Sequence, residues 1–267
     1  MTKLRILGTG NAQAVECYNT CLTIENENGI LLVDAGGGNG IFKILENENI
    51  ELSSIHHIFV THAHTDHIFG VLWLIRRIGE TMNKGKMDGT LTIYTHKELA
   101  EFLIYVSKTI LTKKVSSLIG ERILFSVHED GDERTIIGNK FTVFDIGSTK
   151  MKQFGFRMEY ENGKVLVDPG DEPLLEQNYD KARNADWMTH EAFCTYEDRE
   201  RFKPYEKHHS TALDAAKLAE SLGVKNLILY HTEDMTLTTR KERYTKEAKE
   251  YFTGNVYVPD DRESFIL

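Results

Sequence analysis

The feature that constrains this chain most is a polar, histidine-rich segment, Thr61–Gly70, placed between a predicted strand and a predicted helix. The residues before it, Ile58–Val60, are typical of a buried strand, and the residues after it, Ile68–Ile78, are apolar apart from one glycine and two arginines. Loops at strand ends are where α/β proteins place chemically active side chains. We therefore expect this segment to line a pocket at the end of a strand.

Four side chains of this segment can bind a metal ion: His62, His64, Asp66 and His67. One residue separates His62 from His64, so both imidazoles can point the same way, while Asp66 and His67 begin the predicted helix and face the same pocket. Neutral imidazole and carboxylate are good ligands for Zn²⁺ and similar ions. A solvated histidine-rich turn is the alternative interpretation, but three histidines and an aspartate in this order favour a metal site.

The order His-x-His-x-Asp-His is a specific signature, and through it the chain resembles the metallo-β-lactamase-fold hydrolases. Strand and helix segments alternate along the sequence without a low-complexity linker or a short repeat, which by itself indicates only one α/β domain. The resemblance implies a more specific α/β fold, the four-layer αββα metallo-β-lactamase sandwich, formed by residues 1–267 as a single domain. The signature does not select a substrate.

Hydrophobic periodicity predicts where the strands and helices lie. The predicted strands are Lys3–Leu7, Thr20–Glu25, Ile30–Val33, Ile58–Val60, Leu91–Tyr94, Arg122–Val127, Arg134–Ile137, Phe141–Ile146, Phe154–Tyr160, Lys164–Val167, Trp187–Thr189, Val224–Tyr230 and Asn255–Val258. The predicted helices are Ile41–Glu48, Ile68–Ile78, Lys97–Lys108, Leu174–Ala182, Leu213–Leu222 and Arg240–Phe252.

Two residues far along the chain could complete the site. Asp171 follows a predicted strand and two turn residues, and His231 ends the apolar strand Leu227–Tyr230. Alone, each is more typical of a turn or of a strand end than of a ligand. The resemblance implies two divalent ions, Zn²⁺ with Mn or Fe as alternatives. It implies His62 and His64 as ligands of the first ion, Asp66, His67 and His231 as ligands of the second, and Asp171 as a bridge between them.

Two further segments narrow the resemblance to ribonuclease Z. His190–Phe193 reads His-Glu-Ala-Phe and resembles the His-Glu-Ala-Thr of that family, and His209–Thr211 resembles its His-Ser-Thr. The resemblance implies a proton relay in which Glu191 orients His209 and raises its pKa, so that His209 protonates a departing alkoxide. A structural hydrogen bond between the two is the alternative. The predicted catalytic residues are Asp66, Glu191 and His209. Ser210 is predicted to cap the helix that follows.

The chain departs from the ribonuclease Z pattern at the first metal site. Gly147 stands where that family has a histidine ligand, and the nearby candidates for a substitute, Asp145 and His128, are poorly placed by sequence. The first metal would then have His62, His64 and Asp171 but no third imidazole. We therefore expect a weakened first site.

Three other departures concern the substrate. Only one predicted hairpin separates Tyr160 from Asp171, so the tRNA-gripping arm of ribonuclease Z is absent. Tyr18 and Asn19 replace an Arg-Asn pair, and Thr232–Met235 replaces the Arg-Tyr pair expected after the last histidine. These departures keep the reaction class and weaken tRNA as the substrate.

Asp34 ends a predicted strand and precedes the glycine-rich segment Gly36–Gly40. That segment lacks the Gly-Lys-Ser/Thr of a nucleotide-binding loop. Asp34 could instead accept the free N–H of a metal-bound histidine. A plain turn residue is the alternative.

Charge and composition limit the partners. The net charge of −9 disfavours non-specific polyanion binding through the whole surface. No apolar run reaches the ~18–20 residues that a membrane helix needs, and the chain starts directly with a strand, so we expect a cytoplasmic protein without a membrane partner. Three cysteines are expected to be free thiols.

The leading hypothesis is a metal-dependent hydrolase of phosphodiester bonds that uses a metal-bridging hydroxide. RNA is one candidate substrate. A thioester or lactone hydrolase on the same metals is an alternative within enzymes, and a metal-depleted binding protein is the alternative outside them. Ribonuclease Z proteins are often dimers, so a homodimer is an expectation by analogy only.

Overall fold

The computed structural model describes residues 1–267. Its strands form two seven-stranded mixed sheets. The first has the order β14-β1-β2-β3-β4-β5-β6, with β1 Lys3–Gly8, β2 Cys21–Asn26, β3 Gly29–Val33, β4 Ile55–Phe59, β5 Leu91–Thr95, β6 Ile123–Val127 and β14 Ser264–Ile266. The second has the order β13-β12-β11-β10-β9-β8-β7, with β7 Glu133–Ile136, β8 Asn139–Asp145, β9 Phe154–Glu159, β10 Val165–Asp168, β11 Trp187–Glu191, β12 Asn226–Tyr230 and β13 Asn255–Tyr257.

Eight α-helices accompany the sheets. They are α1 Ile41–Asn47, α2 Thr65–Asn83, α3 Lys97–Ile110, α4 Lys113–Ser116, α5 Tyr179–Ala182, α6 Arg199–Phe202, α7 Ala212–Leu222 and α8 Leu237–Lys249. Four short 3₁₀ turns lie at Leu52–Ser54, Glu176–Asn178, Tyr196–Asp198 and Tyr205–Lys207. None of the helices combines the length and the apolar composition that crossing a bilayer requires.

Successive side chains of each strand point to opposite faces of the sheet, and this alternation divides the hydrophobic core into layers. Phe59 of β4 packs between the sheets against Phe141 and Phe156, with ring centroids 5.1 and 5.7 Å away. Its neighbours Ile58 and Val60 point to the other face and join the core under α2. A third core, rich in alanine, lies between the second sheet and α7 and α8. Helix, sheet, sheet and helix therefore stack as four layers, which confirms the predicted αββα sandwich.

The parallel strands bring the functional segments to one edge. Strands β3, β4, β5 and β6 run parallel in the first sheet, and β10, β11, β12 and β13 run parallel in the second. Asp34 and the histidine-rich segment follow β3 and β4, whereas Asp171 and His231 follow β10 and β12. Residues beyond the carboxyl ends of parallel strands share an edge of the sheet. Both sheets therefore contribute to one site.

Gly70 allows α2 to approach the segment after β3. A Cβ atom at this position would lie 1.8 Å from the carbonyl oxygen of Ala35, so any side chain would force the two segments apart. The Gly70 N–H donates to Gly36 O at 2.9 Å, and the Ala35 N–H donates to His67 O at 3.1 Å. This close approach places the first turn of α2 beside Asp34.

One predicted helix is largely wrong. Only Tyr179–Ala182 of the predicted Leu174–Ala182 is α-helical, preceded by a 3₁₀ turn. Leu175 is extended, with φ −84° and ψ 156°, and the side-chain amide of buried Asn178 donates to Asp145 O at 2.8 Å. A tertiary hydrogen bond therefore fixes a local conformation that periodicity cannot anticipate.

Other differences concern element ends and short elements. Helix α8 begins three residues before the predicted start, at Leu237, and ends at Lys249. Strand β14 and helices α4 and α6 were not predicted, because runs of three or four residues are too short to show a period.

Candidate active site

A cavity of about 310 Å³ opens at the edge shared by the two sheets. It is lined by Asn11, Ala12, Gln13, Ala63, His64, Thr65, Asp66, Asp171, Phe193, Lys207, His209 and His231. Four of the six predicted metal ligands are therefore at its surface, and His62 and His67 lie buried directly behind them.

The six predicted ligands form two groups. One contains His62, His64 and Asp171, and the other contains Asp66, His67 and His231. Within each group the candidate ligand atoms all lie within 4.8 Å of one another. The sequence prediction divided the residues between two ions in the same way.

Asp171 lies between the two groups. Its Oδ2 is 3.3 Å from His62 Nε2 and 3.8 Å from His64 Nδ1 in the first group. The same oxygen is 3.7 Å from His67 Nε2 and 3.7 Å from His231 Nε2 in the second. One carboxylate oxygen thus faces four imidazoles, which is the position that a bridging ligand requires.

The donor set fits divalent cations. Asp66 Oδ1, Asp171 Oδ1, His67 Nε2 and both ring nitrogens of His231 are buried and have no hydrogen-bond partner. Buried polar atoms are normally paired, so this cluster of unpartnered nitrogen and oxygen atoms indicates that another partner binds there. Imidazole and carboxylate together match Zn²⁺ and related first-row ions.

Asp34 fixes the orientation of one of these imidazoles. Its Oδ2 accepts from His67 Nδ1 at 2.7 Å and from Thr61 Oγ1 at 2.7 Å, and its Oδ1 accepts from the Thr61 N–H at 2.9 Å. In the neutral ring this bond keeps the proton on Nδ1, which leaves the Nε2 lone pair facing Asp66 and Asp171, where a bound cation would take the place of an Nε2 proton. The structure therefore shows the hydrogen bond predicted for Asp34.

Burial and charge oppose each other across the cluster. Burial alone would raise the pKa of the Asp171 carboxyl, but the neighbouring imidazoles, His62 foremost, hold it well below its usual range. Burial would likewise lower the pKa of His67, but the carboxylates of Asp66 and Asp34 raise it well above its usual value. The Asp171 carboxylate is therefore ionised at neutral pH and available to a cation.

Glu191 and His209 meet beside the second group. His209 Nδ1 is 3.5 Å from Glu191 Oε2, a contact too long and poorly aligned for a good hydrogen bond but close enough for an ion pair. Glu191 is fully buried, and its other oxygen accepts from the Ser210 N–H at 2.6 Å. Burial acts to lower the pKa of His209, but the Glu191 carboxylate raises it above its usual value.

The predicted helix cap is wrong by one residue. Thr211, not Ser210, caps α7, in a reciprocal capping box with Asp214. Ser210 instead donates its hydroxyl to Glu191 O at 3.1 Å. The segment that carries His209 is therefore tied to the end of β11 and to the start of α7 at once.

Gly147 cannot present a side chain to the cavity in this conformation. Its φ is +78°, and a Cβ atom there would lie 2.6 Å from Gln177 Nε2 and 3.2 Å from Leu175 Cδ1. Neither residue lines the cavity. The proposed substitutes are engaged elsewhere, because Asp145 accepts from the Gly147 N–H and His128 contacts Ser126. The first group therefore has no third imidazole from these positions.

Sequence reasoning missed three residues around the site. Gln153 is fully buried, and its Oε1 accepts from the Asp171 N–H at 3.1 Å. Phe193 stacks on His209 at a centroid distance of 5.1 Å, and the Lys207 ammonium lies 4.5 Å from the Phe193 ring centroid. The sequence could have indicated Phe193, because it replaces the threonine of the His-Glu-Ala-Thr motif of ribonuclease Z. Gln153 and Lys207 belong to no motif, so nothing in the sequence indicated their position.

Comparison with known proteins identifies the family. The sequence matches the family described as "Anti-Pycsar protein Apyc1" over residues 2–251. The chain belongs to the Apyc1 family. Ribonuclease Z of Listeria monocytogenes serotype 4a (strain HCC23) is 30% identical to it over 276 aligned positions, covering 86% of this chain and 88% of the relative. Ribonuclease Z of Listeria monocytogenes serovar 1/2a is 28% identical, covering 94% of each. The predicted likeness to the ribonuclease Z group is confirmed.

Solved structures show the same fold as this Apyc1-family protein. The metallo-β-lactamase fold protein YhfI from Bacillus subtilis superposes with a TM-score of 0.76 at 18% identity, covering 99% of this chain and 98% of that one. The short form of human tRNase Z gives 0.74 at 19% identity, covering 99% and 98%. A diphosphatase of the PhnP family gives 0.75 at 16% identity, covering 99% and 96%. The predicted metallo-β-lactamase fold is confirmed.

Proposed function

We propose that this Apyc1-family protein is a metal-dependent phosphodiesterase. The observation that carries the proposal is the position of Asp171 Oδ2, within 3.3–3.8 Å of imidazoles from both ligand groups. His62 and His64 would hold a first divalent ion, Asp66, His67 and His231 a second, and Asp171 both. Bound together, such ions supply a hydroxide nucleophile at neutral pH and offset the negative charge that develops on phosphoryl oxygens.

The residues of the chain itself orient the reaction. Asp34, itself held by Thr61, would keep the proton of the neutral His67 ring on Nδ1, so that the Nε2 lone pair is directed at the cluster. Burial acts to lower the pKa of His209, but Glu191 raises it, and the His209 ring lies next to His231, with ring centroids 5.1 Å apart. A charged His209 can donate its proton to the departing oxygen, which is the step that limits cleavage of a poor leaving group.

The shape of the site favours a small substrate over tRNA. The strands β9 and β10 are joined by a five-residue turn, Tyr160–Lys164, where ribonuclease Z would carry its arm. Lys207 is the one lysine or arginine among the residues that line the 310 Å³ cavity. A single cation and a small volume suit one phosphodiester group better than a long polyanion.

Metal content and substrate class test the proposal together. Protein purified without chelator is analysed for transition metals and assayed on bis-p-nitrophenyl phosphate, a thioester and a lactone. We expect more than one metal per chain and a clear preference for the phosphodiester. Preference for the thioester or lactone would contradict the substrate class, and less than one metal per chain with no gain on reconstitution would support a binding protein.

A second experiment tests His209 as the proton donor. We expect His209→Ala to reduce turnover of an alkyl phosphodiester at least tenfold more than turnover of bis-p-nitrophenyl phosphate, because p-nitrophenolate departs without a proton. Equal losses on both substrates would contradict the donor role and leave His209 a structural residue.

Three finer points remain part of this proposal. The family description makes opposition to Pycsar the biological role to test for this chain. RNA as a substrate and a homodimer as the oligomeric state are both predictions, to be checked by cleavage of short oligoribonucleotides and by the mass of the protein in solution.

A further inference from the structure

Helix α8 has a buried face that is polar. Of its 13 residues, the buried ones are Arg240, Tyr244 and Ala248, and both Arg240 and Tyr244 have no exposed surface. A fully buried arginine is unfavourable unless its N–H groups find acceptors. The groups that accept hydrogen bonds from Arg240 and Tyr244 therefore indicate the role of the helix.

Arg240 joins two segments of the cavity. Its Nη1 donates to Thr9 Oγ1 at 3.0 Å and to Thr232 Oγ1 at 2.9 Å. Thr232 is the residue directly after His231, and the segment after Thr9 leads to Asn11 in the cavity wall. The two segments also pair through their backbones, since the Thr232 N–H donates to Thr9 O and the Asn11 N–H donates to Thr232 O.

The other guanidinium nitrogen of Arg240 anchors it from behind. Nη2 donates to Pro259 O at 2.7 Å and to Asp260 Oδ1 at 3.2 Å. With four hydrogen bonds divided between its two terminal nitrogens, the planar guanidinium cannot rotate without losing several of them. Its position is therefore fixed relative to Thr9 and Thr232.

Two more residues on the same side of α8 hold the segments around His209. Tyr244 donates its hydroxyl to Phe193 O at 3.2 Å, and Glu247 accepts from the N–H groups of Tyr196 and Leu213 at 2.9 Å. Positions 240, 244 and 247 repeat at the spacing of one helix face. The helix thus contacts the segments after β1, β11 and β12 at once.

His231 needs such support because its backbone is unusual. Its φ is +54°, in the left-handed region that non-glycine residues rarely adopt. A conformation of this kind persists only where the surroundings fix it. The residue that immediately follows is held by Arg240.

We propose that α8 is a positioning helix and that Arg240 is the positioning residue for His231. By fixing the Thr232 hydroxyl, Arg240 keeps the His231 imidazole directed at Asp66 and Asp171, from which its Nε2 is 3.7 Å. Arg240 itself touches none of the six predicted ligands. The inference uses the proposed function only where turnover is measured.

Three variants test this inference. Thr232→Val removes the hydroxyl acceptor and leaves the shape of the side chain nearly unchanged. Arg240→Met removes the guanidinium donors, and Arg240→Lys keeps the positive charge but not the two terminal nitrogens of the guanidinium. Lys246→Met is the matched control, because Lys246 is an exposed residue of the same helix and takes no part in the hydrogen bonds of Arg240. Zn²⁺ affinity is measured by competition with a chromophoric chelator. The values of kcat and KM are measured with bis-p-nitrophenyl phosphate as the substrate.

We expect Thr232→Val and Arg240→Met to weaken binding of one of the two Zn²⁺ equivalents by about 10–100-fold, the range typical of lost outer contacts to a metal ligand. At subsaturating Zn²⁺, kcat should fall with little change in KM, and Arg240→Lys should recover only part of the loss. Lys246→Met should match the wild type in both measurements.

Several outcomes would overturn the inference. One is wild-type Zn²⁺ affinity in Thr232→Val, and another is an equal loss in Lys246→Met. Thr232→Val decides the question even where Arg240→Met fails to fold. A wild-type protein without phosphodiesterase activity, whose Zn²⁺ affinity still falls in Thr232→Val, would reject the proposed function and keep this inference.

Discussion

Replacing Gly147 with histidine tests whether this position is a missing metal ligand. The residue has φ +78°, where an L-residue costs roughly 1–2 kcal/mol relative to glycine. Gly163, in an exposed turn, has the same φ of +78°. The backbone part of the cost should therefore be the same for Gly147→His and Gly163→His.

The two positions differ in what a side chain would meet. A Cβ at Gly147 would lie 2.6 Å from Gln177 Nε2, whereas a Cβ at Gly163 has no atom within 4 Å. Because the contact is with the end of a flexible side chain, we expect an added cost of only about 1 kcal/mol, the low end for overpacking. The double variant Gly147→His/Gln177→Ala should return to the level of Gly163→His.

Urea unfolding of the chelated proteins measures these free energies, and Zn²⁺ stoichiometry after dialysis measures the ligand question. We expect Gly147→His to bind no more Zn²⁺ than the wild type, because the new side chain begins in the direction of Gln177 and Leu175. A variant that is as stable as the wild type and binds additional or tighter Zn²⁺ would refute this reasoning and identify Gly147 as a true ligand position.

Two further predictions concern buried aspartates. Asp34→Asn removes the charge that fixes His67, so Zn²⁺ affinity measured by chelator competition should fall about 10–100-fold, and a change below twofold would contradict that role. Burial raises the pKa of Asp168 to about 6, despite hydrogen bonds from Gly170 and Tyr230, so the folded state binds this proton more tightly than the unfolded state. The loss in the free energy of unfolding that buried Asp168 causes is absent below about pH 4, grows between pH 4 and 6, and is complete above pH 6. Asp168→Asn should therefore stabilise the chelated protein by up to about 3 kcal/mol at pH 7 and little at pH 4, as measured by urea unfolding. Equal effects at both pH values would contradict this assignment.

The sequence predicted the parts of this molecule that depend on local patterns. The strand before Thr61 and the helix after it are apolar over several residues, so the sequence alone places the histidine-rich segment at a strand end. Asp171 and His231 needed the family resemblance as well, because a single polar residue after a strand has no distinctive local pattern. The structure brings both to the cluster.

Features that depend on tertiary contacts were not accessible in this way. From its sequence α8 resembles an ordinary amphipathic helix. No residue near Arg240 in the sequence indicates that its side chain is completely buried. The cap at Thr211 and the extended Leu175 follow from bonds to Asp214 and from the Asn178–Asp145 contact, respectively. In each case several local conformations were equally compatible with the sequence, and a hydrogen bond to a residue elsewhere in the fold or helix selected one of them.

The division of the proposed ligands between the two sheets has a consequence for biosynthesis. The earliest, His62, and the latest, His231, are separated by most of the chain, and Arg240 and Tyr244 come later still. A ribosome must therefore release nearly the whole polypeptide before the cluster can close. Closure of the second ligand group would then report on completed folding, and a product truncated before residue 231 would lack one of the six proposed ligands.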